Sequence, residues 1–275
     1  MYKDYNKLTS AEQKKLQKEI NKNYKLTTAE IDKKIEQILN AKGNKQKKLL
    51  KELTPLIYAL WNLNGKEIIY ASQVILEVTW QFYEYAGNKA KEIDVLLDDK
   101  IINAKVKEAL DRRKKMVKWE RVVKANAKKT DKQINNVVKK SIKKNNKDAT
   151  KEVKKKLEAD KRKAQNIARN ETNFHESVAK LEAGKRQEAN GNTMVKTWIY
   201  TWASKDHRKA HIDADKQTVV GVNTMFDVGG YKTLAPHQFG IASQDINCTC
   251  DYKLEFAKPV ETSLKEFEEF KETRL

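Results

Sequence analysis

Two short motifs near the C-terminus combine residue types that bind metal ions and build buried polar networks. Residues 206–211 carry an aspartate, an arginine and two histidines, and residues 247–250 carry an asparagine and two cysteines. On a helix, His207 and His211 would be four positions apart and would share one face. In an extended segment, the two cysteines would point to the same side. Because imidazole nitrogens and thiolates are good zinc ligands, these motifs predict a candidate structural zinc site.

The residues leave three interpretations open. The first is a structural zinc ion, with candidate ligands His207, His211, Cys248 and Cys250 and, as further candidates, His237 and Asp206. The second is a metal-free hydrogen-bond network in which the cysteines are small buried hydrophobic residues. The third is catalysis, for which we predict no catalytic residue. The polar cluster expected in this region comprises Arg169, Glu171, Trp198, Asp206, Arg208, His211, Asn247, Cys248 and Cys250.

The chain is strongly basic, and the charge is unevenly distributed. Its 275 residues carry a net charge of +19, and residues 101–170 alone hold 25 Lys and Arg against 8 Asp and Glu, a net of +17. Such a concentration predicts contact with a polyanion, although a solvated lysine-rich helical surface would look the same. The candidate DNA-binding residues are Arg112, Arg113, Lys114, Lys115, Lys118, Arg121, Lys128, Lys129, Lys139, Lys140, Lys143, Lys144, Lys154, Lys155 and Lys156.

Composition argues against several classes of protein. We find no run of about 18 apolar residues, so no membrane span is expected. The N-terminus lacks the apolar stretch of a signal peptide. Because only one residue separates the two cysteines, a disulfide between them would be strained, which favours folding in a reducing cytoplasm.

The first hundred residues are predicted to form helices that position the later motifs. Capping boxes at Thr9 and Thr27 predict two short helices, the second with an apolar stripe of Ile31, Ile35, Ile38 and Leu39. A third helix is expected over 46–63, with Pro55 as a kink or restart and Asn64-Gly65 as its end. A fourth, rich in aromatic residues, should cover 66–85 and stop near Gly87.

The remaining sequence is helical first and then mixed. Residues 90–166 contain no Gly or Pro and predict long helices that break near Asn145-Asn146. Alternation over 196–202 predicts a half-buried strand, followed by short strands at 218–220 and 225–228 and a tight turn at Gly229-Gly230. The last residues, 261–275, predict a small amphipathic helix.

The fold class expected from these patterns is α+β, with a long helical N-terminal region followed by a small mixed C-terminal domain. Four consecutive segments are expected. They are a helical N-terminal region at 1–100, a long basic helical segment at 101–165, an α+β domain at 166–258 and a tail helix at 259–275.

One ordered set of residues carries a resemblance to a known family. Residues 168–172 on a helix are followed by Trp198, by Asp206-x-Arg208-x-x-His211, by Phe226 and Pro236, and by Asn247-Cys248-Thr249-Cys250. Their order and spacing over about 165–255 resemble the C-terminal domain of the phage Mu F-like minor head proteins, also called head morphogenesis proteins, of tailed bacteriophages. The family often has Arg where Thr249 stands, and often has Gly shortly after the histidine, where residues 214–216 read Ala-Asp-Lys.

The resemblance implies a minor capsid protein that acts in head assembly and in DNA packaging or delivery. It implies the portal protein and scaffold protein as partners, with the region 1–100 on the portal, and a location in the virion interior after synthesis in the host cytoplasm. Non-specific contact with double-stranded DNA is expected from the basic stretch. No membrane and no small-molecule substrate are expected. A distant likeness of this domain to ADP-ribosyltransferase folds has been proposed for the family, but no nucleotide-binding motif accompanies it here.

Two alternative functions are retained. A metal-dependent nuclease, or another nucleic-acid-processing enzyme, could use the His/Asp/Cys cluster, with Asp206 and His211 as its working residues. A nucleic-acid-binding factor unrelated to virions would explain the basic helices but would leave the C-terminal motifs without a role.

Overall fold

The structure is a computed structural model, which describes residues 2–91, 99–144, 148–201, 207–258, 260 and 263–272. Five long helices come first, and the strands with three short helices follow. In chain order the elements are α1 (Tyr2–Asn40), α2 (Gly43–Lys89), α3 (Asp99–Val117), α4 (Trp119–Lys144), α5 (Ala149–Ala189), β1 (Met194–Ile199), α6 (Lys209–Asp213), β2 (Thr218–Val220), β3 (Phe226–Val228), β4 (Tyr231–Thr233), α7 (Ala242–Asp245), β5 (Asp251–Phe256) and α8 (Leu264–Glu272). The predicted α+β class, with a long helical region before a small mixed domain, is confirmed.

The chain forms two compact units, each built from separate stretches of sequence. We call the first the sheet unit; it comprises Met1–Gln13, Ala71–Asp111 and Arg169–Leu275. The second, the helical unit, comprises Lys14–Tyr70 and Arg112–Ala168. The four consecutive segments expected from the sequence describe roles along the chain, and that division stays a prediction.

A three-stranded antiparallel sheet forms the framework of the sheet unit. Its strand order is β2-β1-β5, so β1 is central, with Lys196 opposite Val219 on one side and Leu254 on the other. Alternate residues of β1 are buried, and Trp198, opposite Tyr252, is completely buried. The strand was expected to begin at Lys196, but it begins two residues earlier, and its inward face includes a fully buried lysine.

The separate hairpin β3–β4 turns at the predicted pair of glycines. Gly229 and Gly230 have φ of +62° and +86°, in the left-handed region that glycine adopts at little cost. A Cβ on Gly229 would lie 2.6 Å from Cβ of Ala210, so this glycine also allows α6 to approach the turn. The predicted strand at 218–220 and the helix within 261–275 are likewise present, and the strand predicted at 225–228 begins one residue later, at Phe226.

The predicted starts and stops inside the first two helices are wrong. Instead of two short helices, α1 runs unbroken from Tyr2 to Asn40, because buried apolar residues recur along its whole length. Thr9 does not cap a helix; its hydroxyl lies 3.4 Å from Oε1 of Glu176. Likewise α2 passes through Pro55 and Asn64-Gly65 to Lys89. A Cβ on Gly65 would lie 2.9 Å from Cγ2 of Val123, so this glycine permits close helix packing and does not end the helix.

The apolar stripes were predicted more accurately than the helix ends. Ile31, Ile35 and Ile38 are completely buried in the helical unit, and Leu39, the fourth residue of that stripe, is half-buried. The predicted break at 145–146 lies outside the described residues, although α4 ends at Lys144 and α5 begins at Ala149. Among the described residues, no helix is long and apolar enough to span a membrane.

Candidate metal centre in the sheet unit

Three of the four predicted metal ligands meet in the sheet unit. His211 lies in α6, and Cys248 and Cys250 lie in the segment between α7 and β5. Their ligand atoms all lie within 4.8 Å of one another, and the residues are 1%, 1% and 3% exposed. These three side chains therefore form a group that could hold a metal ion.

The spacing of the group is compatible with three of the four ligand positions of a tetrahedral zinc site. Nδ1 of His211 lies 3.6 Å from Sγ of Cys248 and 3.4 Å from Sγ of Cys250. For zinc–nitrogen and zinc–sulfur bonds of about 2.0 and 2.3 Å at tetrahedral angles, the nitrogen and sulfur would be about 3.5 Å apart. A group of this size needs little rearrangement to take the ion, so the residues present fit zinc.

A half-buried amide orients the imidazole. Nε2 of His211 lies 2.9 Å from Oε1 of Gln244 in α7. Because an amide oxygen only accepts, Nε2 carries the hydrogen, and a neutral ring then presents the lone pair of Nδ1 to the two sulfurs. A ligating histidine usually donates its other ring N–H in this way. Gln244 gave no sequence signal that we used, because it lies outside both motifs.

Aromatic rings enclose the histidine. The ring of Phe239 stacks on His211 at 5.5 Å between centroids, and Trp198 meets it edge-on at 5.9 Å. The indole Nε1 of Trp198 is buried without an oxygen or nitrogen acceptor among the described residues. Its N–H instead interacts with the sulfur of Cys250, and this interaction favours the thiolate form of Cys250. This arrangement suits a site that holds negatively charged sulfur.

The two thiols and the imidazole titrate as one system. Hydrogen bonding to Cys250, supported by His211, lowers the pKa of Cys248 despite burial. The pKa of Cys250 is raised, because Cys250 keeps its proton in the hydrogen bond to Cys248 and because burial and the charge of Cys248 disfavour a second thiolate. Burial alone would lower the pKa of His211, but hydrogen bonds to Cys248 and Gln244 outweigh it and raise that pKa. The lowered pKa of Cys248 favours the thiolate that binds metal, whereas the raised pKa values of Cys250 and His211 favour protonated forms that must lose a proton when metal binds.

The prediction that His207 belongs to this group is wrong. The helix α6 begins only at Lys209, with Arg208 at its N-cap, so His207 precedes the helix and does not share its face. Its Nδ1 contacts the hydroxyl of Tyr200. His237, one of the two further candidate ligands, has a different partner, because its Nε2 donates to the carbonyl oxygen of Cys250 at 3.0 Å.

Several of the other cluster residues tie the two motifs together through the backbone. Nη2 of Arg208 donates to the carbonyl oxygen of Ile246 at 2.7 Å, which links the start of α6 to the cysteine segment. Asn247 has φ of +58°, a left-handed conformation that asparagine tolerates, and it turns the chain into Cys248. The hydroxyls of Thr201 and Thr249 each donate to the other's carbonyl oxygen, at 2.6 and 3.2 Å.

Arg169 and Glu171 lie on α5 and do not belong to the group of metal ligands. Arg169 lines a polar cleft that also includes Glu176, Cys250 and Asp251. Glu171 is buried, and its carbonyl oxygen accepts from Nδ1 of His175 at 2.8 Å. Asp206, another member of the expected polar cluster, lies outside the described residues.

Sequence reasoning missed two completely buried lysines. Nζ of Lys196 donates to the carbonyl oxygens of Val222, Thr224 and Leu234, each at 2.7 Å. Lys180 forms ion pairs of 3.0 Å with Glu176 and 2.8 Å with Asp251. Among so many lysines, no local pattern distinguished these two from the surface ones.

The candidate DNA-binding residues all belong to the stretches that form or adjoin the helical unit. The described ones are exposed, except for the half-buried Arg113, and they lie on α3, α4 and α5 and at the α3–α4 junction. Lys154 forms a 3.0 Å ion pair with Asp32. The side chains of Lys114 and Lys115 lie outside the described part of the structure.

The division into units separates the charge more sharply than the sequence order does. The helical unit holds 35 Lys and Arg against 12 Asp and Glu, a net of +23. The sheet unit holds 22 Lys and Arg against 26 Asp and Glu, a net charge of −4. The excess positive charge of the whole chain therefore resides on one compact unit.

Comparisons with known proteins gave one partial match. The chain is 30% identical over 114 residues to a protein named NAD(+)--arginine ADP-ribosyltransferase EFV from Enterococcus faecalis (strain ATCC 700802 / V583). The match covers 42% of this chain, and the chain spans 23% of that protein. No family model and no solved structure matches the sequence.

Proposed function

We propose that this chain is a minor head morphogenesis protein of a tailed bacteriophage. It associates with the portal and scaffold proteins and with packaged DNA, and it ends up in the virion interior. The observation that carries the proposal is the convergence of the two motifs on which the family resemblance rests. His211 meets both cysteines, and Arg208 binds the backbone next to Asn247.

The metal group has a structural role in this proposal. A zinc ion bound by His211, Cys248 and Cys250 would link α6 to the segment that enters β5. The ligands are nearly fully buried, whereas a hydrolytic zinc needs an open coordination position that a substrate can reach. This burial favours a structural zinc over the nuclease alternative, in which His211 would act on a substrate.

The charge supports DNA as a partner. A compact unit with a net charge of +23 attracts a polyanion by counterion release, without reading its sequence. The name of the E. faecalis relative describes a transferase activity of that protein, of which this chain spans less than a quarter. We propose no such activity for this chain.

The proposal is tested by co-expressing the tagged chain with the portal protein encoded nearest to its gene. We expect the portal to co-purify, and the chain to bind unrelated duplexes with equal affinity. If the portal does not co-purify and the chain nicks plasmid DNA, with nicking lost in His211→Ala, the result would instead support the nuclease.

A further inference from the structure

The helix α4 has two opposite faces of very different character. The buried face comprises Trp119, Asn126, Ala127, Thr130, Ile134, Val138 and Ser141. It packs inside the helical unit, where Nε1 of Trp61 donates to the Thr130 hydroxyl at 3.1 Å. At 100° per residue, the direction opposite this face is set by positions 121, 128, 132, 139 and 143.

A single row of cations occupies that opposite face. We call it the α4 stripe: Arg121, Lys128, Lys132, Lys139 and Lys143, all exposed. The positions that complete the face, Ala125 and Asn136, are uncharged. From first to last the stripe extends about 33 Å at about 1.5 Å per residue, which is close to one turn of duplex DNA.

Almost nothing along the helix neutralises this row. At three or four positions from any stripe residue, the only acid is Asp131, which accepts hydrogen bonds from Thr54 at 2.7 Å and Asn135 at 2.8 Å. Two pairs of lysines four positions apart repel each other, which disfavours the helix unless an anion lies against it. Lysines on the other helices of this unit pair with acids, such as Lys34 with Glu52 and Lys161 with Glu158.

We propose that the α4 stripe is the surface on which the helical unit docks on duplex DNA. This inference rests on the proposed function, in which DNA is a partner, and it assigns that contact to one face of one helix. The flanking residues Lys129 and Lys140 widen the same surface. The candidate lysines of α5, including the Lys154 that pairs with Asp32, are then peripheral to the contact.

The test compares two variants with the same loss of charge. The stripe variant is Arg121→Gln with Lys128→Gln, Lys132→Gln, Lys139→Gln and Lys143→Gln. The matched control changes five exposed lysines of α1 and α2 in the same unit to Gln: Lys14, Lys18, Lys25, Lys33 and Lys47. Both full-length proteins are checked for unchanged helical circular dichroism, and binding to a 20-base-pair duplex is measured from about 50 to 300 mM salt.

If the stripe makes the contact, the plot of the logarithm of the DNA-binding constant against the logarithm of the salt concentration becomes less steep. The magnitude of its slope falls by about four in the stripe variant and by less than about one in the control. Equal losses in the two variants would overturn the assignment while leaving DNA binding intact. Salt-independent binding by the unaltered chain would instead remove DNA from the proposed function, and the stripe with it. A stripe variant that loses binding to an acidic polypeptide but still binds DNA as the unaltered chain does would also overturn the assignment.

Discussion

At the scale of single residues, the distances around His211 are compatible with a metal site as well as with a polar network. A metal-free network requires only that each buried polar group find a partner. Here one nitrogen faces two sulfurs at 3.4 and 3.6 Å, and the other nitrogen is held by Gln244. Both sulfurs lie on the side of the ring that a metal would occupy, and a tetrahedral ion requires the same spacing.

The role of Gln244 can be tested directly. Replacing it with Ala removes the acceptor for Nε2–H of His211, so the ring loses its fixed orientation. We expect zinc affinity to fall by about 10- to 100-fold, measured by competition with a chromophoric chelator. Gln238→Ala is the control, because Gln238 binds the Ser177 hydroxyl away from the ligands, and its affinity should be unchanged. Equal affinities in the two variants would contradict the role given to Gln244.

The ligand assignment makes a prediction of its own. The chain purified from zinc-containing medium should bind one zinc ion, and His211→Ala, Cys248→Ser and Cys250→Ser should each lose it. His207→Ala should retain it, because His207 contacts Tyr200 outside the group. Zinc per chain is measured by elemental analysis of the folded proteins. Loss of the ion from His207→Ala would show that His207 is a ligand together with His211, as expected from the sequence.

The sequence could predict residue types better than it could predict neighbours. The thiols and His211 stood out because such residues are rare in this chain. The pairing of His207 with His211 failed because it assumed a helix that begins before Lys209. Gln244 and Phe239 are common residue types at unremarkable positions. Their importance comes from tertiary contacts that local patterns do not encode.

At the scale of elements, the turn between β3 and β4 depends on close packing as well as backbone conformation. Gly229→Ala and Gly230→Ala should each cost about 1–2 kcal/mol for a left-handed alanine. Gly229→Ala should cost more, because its Cβ would press on Ala210, whereas nothing lies within 4 Å of a Cβ on Gly230. Urea denaturation of both variants gives the two free energies of unfolding. Equal losses would show that α6 does not pack on this turn.

A half-buried carboxylate in the helical unit links its helices. Asp160 on α5 accepts a hydrogen bond from Thr130 on α4, whose hydroxyl also accepts from Trp61 on α2. Burial raises the pKa of Asp160, and the Thr130 hydrogen bond and neighbouring lysines offset this only in part. The folded chain therefore holds this proton to higher pH than the unfolded chain does. Its contribution to stability is present at low pH and is lost as pH rises through the folded pKa.

Asp160→Asn should remove this pH dependence, since an amide stays neutral and can still accept from Thr130. We expect the variant to gain in free energy of unfolding, relative to the unaltered chain, as pH rises from about 4 to about 7. Urea denaturation at both values measures it. Glu158→Gln, an exposed acid on the same helix, is the control and should show no comparable gain. A relative loss of stability in Asp160→Asn at the higher pH would contradict the argument.

Helix interiors were predictable, and helix ends were not. The stripe from Ile31 to Ile38 follows the period of a helix and is buried as expected. Capping signals at Thr9 and Thr27 failed because a buried face that continues past them outweighs a local cap. The expected stop at Gly65 failed because its neighbour, Val123, is distant in sequence, and local reasoning cannot identify such a contact.

At the scale of the whole molecule, chemistry and charge reside in different units. The candidate metal centre lies in the sheet unit, with a net charge of −4, and the basic surface lies in the helical unit, with +23. Both units combine stretches from distant parts of the chain, which a reading in sequence order could not reveal. The proposed head protein would thus meet DNA with one unit and hold a metal-linked fold in the other.

The most direct test of the proposed function is whether the chain is carried inside phage particles. Particles released from cells that encode the chain are treated with protease, washed and analysed by quantitative mass spectrometry. We predict that the intact chain is present at few copies per portal and is protected until the particles are opened. Particles that assemble and package DNA without the chain, while it stays in the cells, would contradict the account.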